Sequence, residues 1–206
     1  HMAGFVNKFY SLGYNVLAAD ARAHGDSEGT KIGMGWPERF DVIEWIKLII
    51  SWEPNAQIIL HGVSMGAATV LMASGEELPE NVKVIIADCG YTSEWDEFKC
   101  EANALHIPWF PVLNAASVMS RLRDGYDFKQ ASALEKVKQS RIPTLFIHGS
   151  DDELVPYSML DKLYSAAACE KECLTVNGAG HALSSSVEPE LYWNTVESFI
   201  EKYSEK

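Results

Sequence analysis

At 206 residues, 47% hydrophobic and 22% charged, the chain can close one sizeable core, and it has no apolar run long enough to cross a bilayer. The formal charge of −12 argues against nucleic acid or an anionic membrane as partner, because phosphate binding needs the opposite sign. The four cysteines, Cys89, Cys100, Cys169 and Cys173, form no C-x-x-C pair, which predicts packing thiols in a reducing, cytoplasmic setting rather than a disulfide framework.

In chain order, a short helix through Phe5 to Leu12 precedes an apolar run at 14–20 that predicts a strand. A helix starts near Pro37, a residue suited to a first turn, with Phe40, Ile43, Ile46 and Ile50 at the spacing of one buried face. Strands follow at 57–61, 82–87, 143–148 and 173–176, with helices after the first at 67–73 and after the third through Met159, Leu160, Leu163, Tyr164 and Ala167. A last helix begins near Pro189, with Tyr192, Val196, Phe199, Ile200 and Tyr203 as its apolar stripe. This alternation predicts an α/β fold, a mainly parallel sheet with helices on both faces, in a single domain over 3–206. His1 and Met2 read as a cloning remnant.

The stretch from 92 to about 135 exceeds a plain crossover and is rich in aromatics, with Pro108 and Pro111 interrupting it. It reads as a lid of broken helices, whose Trp95, Trp109 and Phe110 would receive a hydrophobic acyl group.

Chemistry concentrates after the strand at 57–61, where Gly62-Val63-Ser64-Met65-Gly66 leads straight into the next helix. A serine on a strand-to-helix turn between glycines is the pattern of a nucleophile elbow, in which both glycines are expected to avoid a clash of strand and helix. Ser64 would then be the nucleophile, and the Met65 amide would point where an oxyanion forms. A serine needs a base and a group that orients the base. Candidates stand further along: His181 on a glycine-rich loop, and the neighbouring carboxylates Asp151 and Asp152 just after the strand at 143–148. His61 and His148 end strands and read as structural. No metal or cofactor is expected, since no histidine pair has helical ligand spacing and the glycines lack a phosphate-cradling pattern.

Four motifs together resemble the α/β-hydrolase superfamily, specifically its bacterial serine esterase-like members: Asp20-Ala21-Arg22-Ala23-His24-Gly25-Asp26-Ser27, the elbow, His148-Gly149-x-x-Asp152-x-x-Val155-Pro156, and Gly178-x-Gly180-His181. The resemblance implies a carboxylesterase cleaving short to medium acyl esters through Ser64, His181 and Asp152, with Asp151 and, after the preceding strand, Asp88 as alternative carboxylates, and it makes His24 part of a loop that shapes the rim. Thioester or peptide hydrolysis is the alternative chemistry, and a non-catalytic interaction module the alternative of another class. It also implies that the family's first strands, with the loop donating the second oxyanion amide, are absent ahead of residue 3. Losing one such donor costs on the order of 10²–10³ in turnover. The strands at 14–20 and 57–63 would then either pair directly or leave edges for a second chain, so a homodimer is possible on this reading.

Overall fold

The computed structural model describes residues 2–204, and the chain forms two compact units that divide between Ile32 and Gly33. His1, one half of the expected remnant, lies outside the described residues.

In the first unit, α1 (Met2–Ser11) buries Phe9, which meets Tyr14 edge to face at 6.0 Å. The strand expected at 14–20 is absent. A strand exists only as one rung of a ladder, and this unit contains a single run of strand-like composition, so the backbone of 14–20 has no second strand in the unit to pair with. Val16 and Leu17 are exposed instead. The turn after it is tightly tied to Asp20, whose carboxylate accepts from the Asp26 amide at 3.1 Å and whose carbonyl accepts from the Ser27 hydroxyl at 2.8 Å. Gly25 stands at φ +51° there, and a Cβ on it would lie 2.1 Å from the Asp20 carboxylate.

The second unit is built on a parallel sheet of order β1-β2-β3-β4, formed by Ile58–Val63, Val82–Asp88, Thr144–Gly149 and Lys171–Val176. Every position of β3 is buried, as expected of a strand covered on both faces, whereas β1 alternates between buried and half-buried positions. Among the described residues β1 is an end strand of this sheet. Helix α2 (Glu38–Trp52) follows Pro37 and packs on α3 (Met65–Ala73), which lies against β1 and β2. Of its predicted buried face, Ile43 and Ile46 are buried and Ile50 is half-buried, but Phe40 is exposed. Its ring lies under the Arg39 guanidinium at 4.0 Å, a stacking that keeps a first-turn aromatic at the surface.

Three helices occupy the stretch after β2: α4 (Glu94–Ala104), α5 (Trp109–Asp124) and α6 (Ala133–Val137). Pro108 stands at the start of α5, and Phe110 leaves helical geometry just before Pro111, which is the predicted break. The two ends of this stretch are stitched together. Ser93 bridges Ser132, the Glu94 amide donates to the Ala131 carbonyl at 3.0 Å, and the Leu134 amide donates to the Thr92 carbonyl at 2.9 Å. Helices α7 (Ser158–Ala166), α8 (Ser184–Val187) and α9 (Pro189–Tyr203) complete the unit, the last opening on Pro189, whose missing N–H costs nothing at a first turn. Tyr192, Val196, Phe199 and Ile200 are buried on one face of α9 as predicted, with Tyr203 half-buried.

Candidate active site

Ser64 occupies the turn between β1 and α3 at φ 56°, ψ −118°, a strained backbone for a residue with a side chain. Its amide donates to the Asp88 carbonyl at 2.8 Å, and its carbonyl accepts from the Ala68 amide at 3.0 Å, so both neighbouring strand and helix hold the strain in place. The two glycines beside it are not equivalent. A Cβ on Gly62 would lie 2.3 Å from the Gly66 backbone, whereas a Cβ on Gly66 meets nothing within 4 Å. The elbow therefore requires glycine at 62 alone. Gly62→Ala should cost on the order of 3 kcal/mol by overpacking backbone that cannot yield, while Gly66→Ala should be neutral or slightly stabilising within its helix. Urea melts of the two variants check this, and equal losses would refute the asymmetry.

Asp152 follows β3 on a turn, its side chain fully buried. One carboxylate oxygen accepts from the Leu154 and Val155 amides at 3.0 and 2.9 Å, while the other accepts from His181 Nδ1 at 2.9 Å and lies 3.3 Å from His148 Nε2. Burial alone would raise this carboxyl, but the hydrogen bonds from His148, His181 and the Val155 amide outweigh it and hold Asp152 well below the usual carboxylate range. His148 Nε2 also donates to the Val155 carbonyl at 2.9 Å. His148, read from sequence as structural, is thus a support of Asp152. The available signal was its place at the end of β3, four residues before the carboxylate.

His181 sits on the loop at 177–182. The Asp151 and Ser150 amides donate to the Ala179 and Val176 carbonyls at 3.0 Å each, and the Gly178 amide donates to Ser150 Oγ at 2.8 Å, so the acid turn and the histidine loop are one cross-linked piece. Gly149 permits this closeness, since a Cβ there would lie 2.2 Å from the Ala179 carbonyl oxygen. Ser64 Oγ lies 2.8 Å from His181 Nε2. The Asp152 hydrogen bond, opposed by partial burial, raises the His181 pKa above its ordinary value.

The fold therefore brings Ser64, His181 and Asp152 into one hydrogen-bonded line. Asp151, the second carboxylate candidate, is exposed, with its oxygen accepting from the Ser150 hydroxyl at 2.7 Å. Asp88, the third, is buried at the end of β2, and burial pushes it up to about 6, with Tyr192 and Ser184 pulling it partly back. Met65 begins α3, so its amide stands at that helix's N-terminus beside Ser64. Trp95 and Trp109 meet edge to face at 6.4 Å, Trp109 meets Phe110 at 6.2 Å, and lysine ammoniums cover both tryptophans, Lys129 on Trp95 and Lys99 on Trp109. Phe110 is 67% exposed.

Several buried polar groups near the line carried no motif. Burial pushes Glu97 of α4 up to about 7 and Glu94 up to about 8. Cys89, at φ +48° directly after β2, is completely buried. Burial raises its thiol, and the Asp88 and Asp152 carboxylates raise it further.

A sequence model of the prolyl oligopeptidase family matches residues 7–206, nearly the whole chain. The chain belongs to that family. It is accordingly an α/β-hydrolase, and the family and fold make it a hydrolase in kind. The uncharacterized protein YqkD of Bacillus subtilis is 30% identical over 203 residues, 98% of this chain and 67% of that protein. The lysophosphatidylserine lipase ABHD12 of Macaca fascicularis is 31% identical over 159 residues, 77% of this chain but 39% of that protein. Among solved structures, the esterase Pf2001 of Pyrococcus furiosus superposes with a TM-score of 0.79 at 23% identity, over 98% of this chain and 76% of its own. No helix among the described residues is long and apolar enough to span a membrane.

Proposed function

We propose that this family member is a serine carboxylesterase that cleaves short to medium acyl esters. The observation that carries the reading is the continuous hydrogen-bonded line from Asp152 through His181 to Ser64, at 2.9 and 2.8 Å. Ser64 Oγ attacks the ester carbonyl carbon while His181 Nε2 takes its proton, and Asp152 holds the imidazole with Nδ1–H toward itself and stabilises the imidazolium. The Met65 amide, at the positive end of α3, donates to the oxygen that becomes negative. His181 returns the proton to the departing alcohol, and water then attacks the acyl-Ser64 ester by the same route in reverse. No step calls on a cofactor.

The stretch from 92 to 135, with both ends pinned at Ser93 and Ser132, is assigned as the lid over this site, and Trp95, Trp109 and Phe110 as its acyl-binding face. The exposure of Phe110 fits a side chain that has a surface still to cover. Residues 3–206 are then one hydrolase domain. The outer edge of β1, an end strand among the described residues, would suit a second copy, which is the basis for a homodimer, and four free cysteines fit a reducing, cytoplasmic setting.

A second chemistry, peptide hydrolysis, is favoured by membership of the prolyl oligopeptidase family, and thioester hydrolysis stands beside it as a further leaving group. The triad does not choose the leaving group. One panel separates the readings: nitrophenyl esters of graded acyl length, acyl thioesters and peptide anilides, with a fluorophosphonate probe mapped by peptide mass. Fastest turnover on esters of two to about eight carbons, with the probe on Ser64, is expected. Preference for anilides or thioesters would move the assignment to the second chemistry. A folded protein that takes no probe and turns nothing over would make the chain a binding module.

A further inference from the structure

We infer that Cys89, Asp152 and His181 form an inhibitory site for a thiophilic divalent cation such as Zn²⁺, which shuts the catalytic line by taking the place of the proton between His181 and Asp152. The inference rests on the catalytic reading of His181 and Asp152 given above.

Cys89 Sγ, a carboxylate oxygen of Asp152 and a ring nitrogen of His181 all lie within 4.8 Å of one another. Thiolate, imidazole and carboxylate are the three side-chain ligands that zinc prefers, and three of them plus water is the usual composition of an open site. Ordinary Zn–S, Zn–N and Zn–O bonds put such ligands about 3.5 Å apart, so the cluster must contract by roughly one ångström. His181 Nδ1 and Asp152 Oδ2, 2.9 Å apart, must part by about half an ångström, while Cys89 closes on both. The histidine's share of the adjustment falls on the loop at 177–182, where Gly178 at φ +74° and Ala182 at φ +57° flank it.

Two features make this more than a buried thiol near a carboxylate. Cys89 is held at a left-handed φ of +48°, a conformation that is strained for a residue with a Cβ and that clusters at functional sites. The ligand set is also reachable: Cys89 and Asp152 are closed to solvent, but the His181 side chain is 22% exposed and gives the ion a way in.

The exchange balances. The cation binds the Cys89 sulfur, which gives up its proton to solvent. His181 moves its proton from Nδ1 to Nε2 and offers the Nδ1 lone pair, and the Asp152 carboxylate binds as it stands. One proton leaves per ion. With Nε2 now carrying a hydrogen, the imidazole cannot accept the Ser64 proton, and ester cleavage stops.

The test reads binding and inhibition separately. Co²⁺ added to the full chain should bind one equivalent with a near-ultraviolet thiolate-to-cobalt charge-transfer band. That band should persist in Cys100→Ser and Cys173→Ser and vanish in Cys89→Ser and in Cys89→Ala. Zn²⁺ should inhibit ester turnover reversibly with a chelator, and Cys89→Ala should raise the half-inhibitory concentration about 100-fold relative to its own metal-free rate, since even second-sphere partners change affinity by about 10–100-fold. Should Cys89→Ser fail to fold by circular dichroism, loss of the band in His181→Ala serves instead. No band in the wild type, or a band that survives loss of Cys89, would overturn the site. Turnover without any band refutes the site alone, whereas a Cys89-dependent band in a protein without turnover upholds the site and refutes the esterase.

Discussion

Ser64→Ala and His181→Ala should each lower kcat on the best ester by about 10⁶, and the double variant should lose no more than either alone. The reason is that neither group works without the other. A hydroxyl is a poor nucleophile until Nε2, 2.8 Å away, takes its proton during attack, and an imidazole with no hydroxyl beside it has nothing to activate. What should survive on the proposed mechanism is stabilisation by the Met65 amide and substrate binding, which in other triads leaves about 10³–10⁴ over water. Ser64 is at a strained φ of 56°, so Ala at this position keeps the strain and removes only the oxygen. Folding should therefore be little changed, and kinetics measured beside thermal melts separate the two effects. Losses that multiply in the double variant would mean that serine and histidine act independently, which the line of hydrogen bonds does not allow.

The parts of this site legible in the sequence are those that local backbone constraints dictate. Ser64 stood out because it lies on a sharp strand-to-helix turn between two glycines, His181 because it sits on a glycine-rich loop after a strand, and Asp152 because it follows a strand and matches the family's acid motif, which alone separated it from Asp151. Such features are written within about ten residues. Gly66 looked required by the same rule, yet space decides a glycine, and the space at 66 is open. The roles of His148 and Cys89 depend on distances between chain segments far apart in sequence, and no local pattern carries those. The run at 14–20 shows the same limit from the other side. Its composition is that of a strand, but pairing is a property of two segments, and its own unit has no second one. Phe40 fits the helical period of a buried face, and the Arg39 guanidinium stacked on it kept that ring at the surface.

Asp152→Asn should lower kcat by about 10⁴ and move the acidic limb of the pH–rate profile downward. In the wild type the carboxylate raises the His181 pKa, so the base becomes free only as pH rises through a value above the ordinary 6.5. Activity should therefore climb with pH through that raised value. An amide at 152 cannot stabilise the imidazolium, and only the charges of Glu97 and Asp88 then still oppose the partial burial that lowers His181, so the limb should move to lower pH. The loss in rate has a separate origin. Asn presents either an oxygen or an amide nitrogen to Nδ1, and the latter turns the imidazole to the tautomer whose Nε2 carries the hydrogen and cannot accept from Ser64. The Leu154 and Val155 amides, which donate to Oδ1 at 3.0 and 2.9 Å, hold the Asn oxygen on their side and leave its NH2 facing Nδ1, so the non-working tautomer should dominate. The measurement is kcat/KM from pH 5 to 9 for the wild type and Asp152→Asn. An acidic limb that stays put in Asp152→Asn would show that another carboxylate, with Asp88 the nearest in kind, sets the basicity of His181.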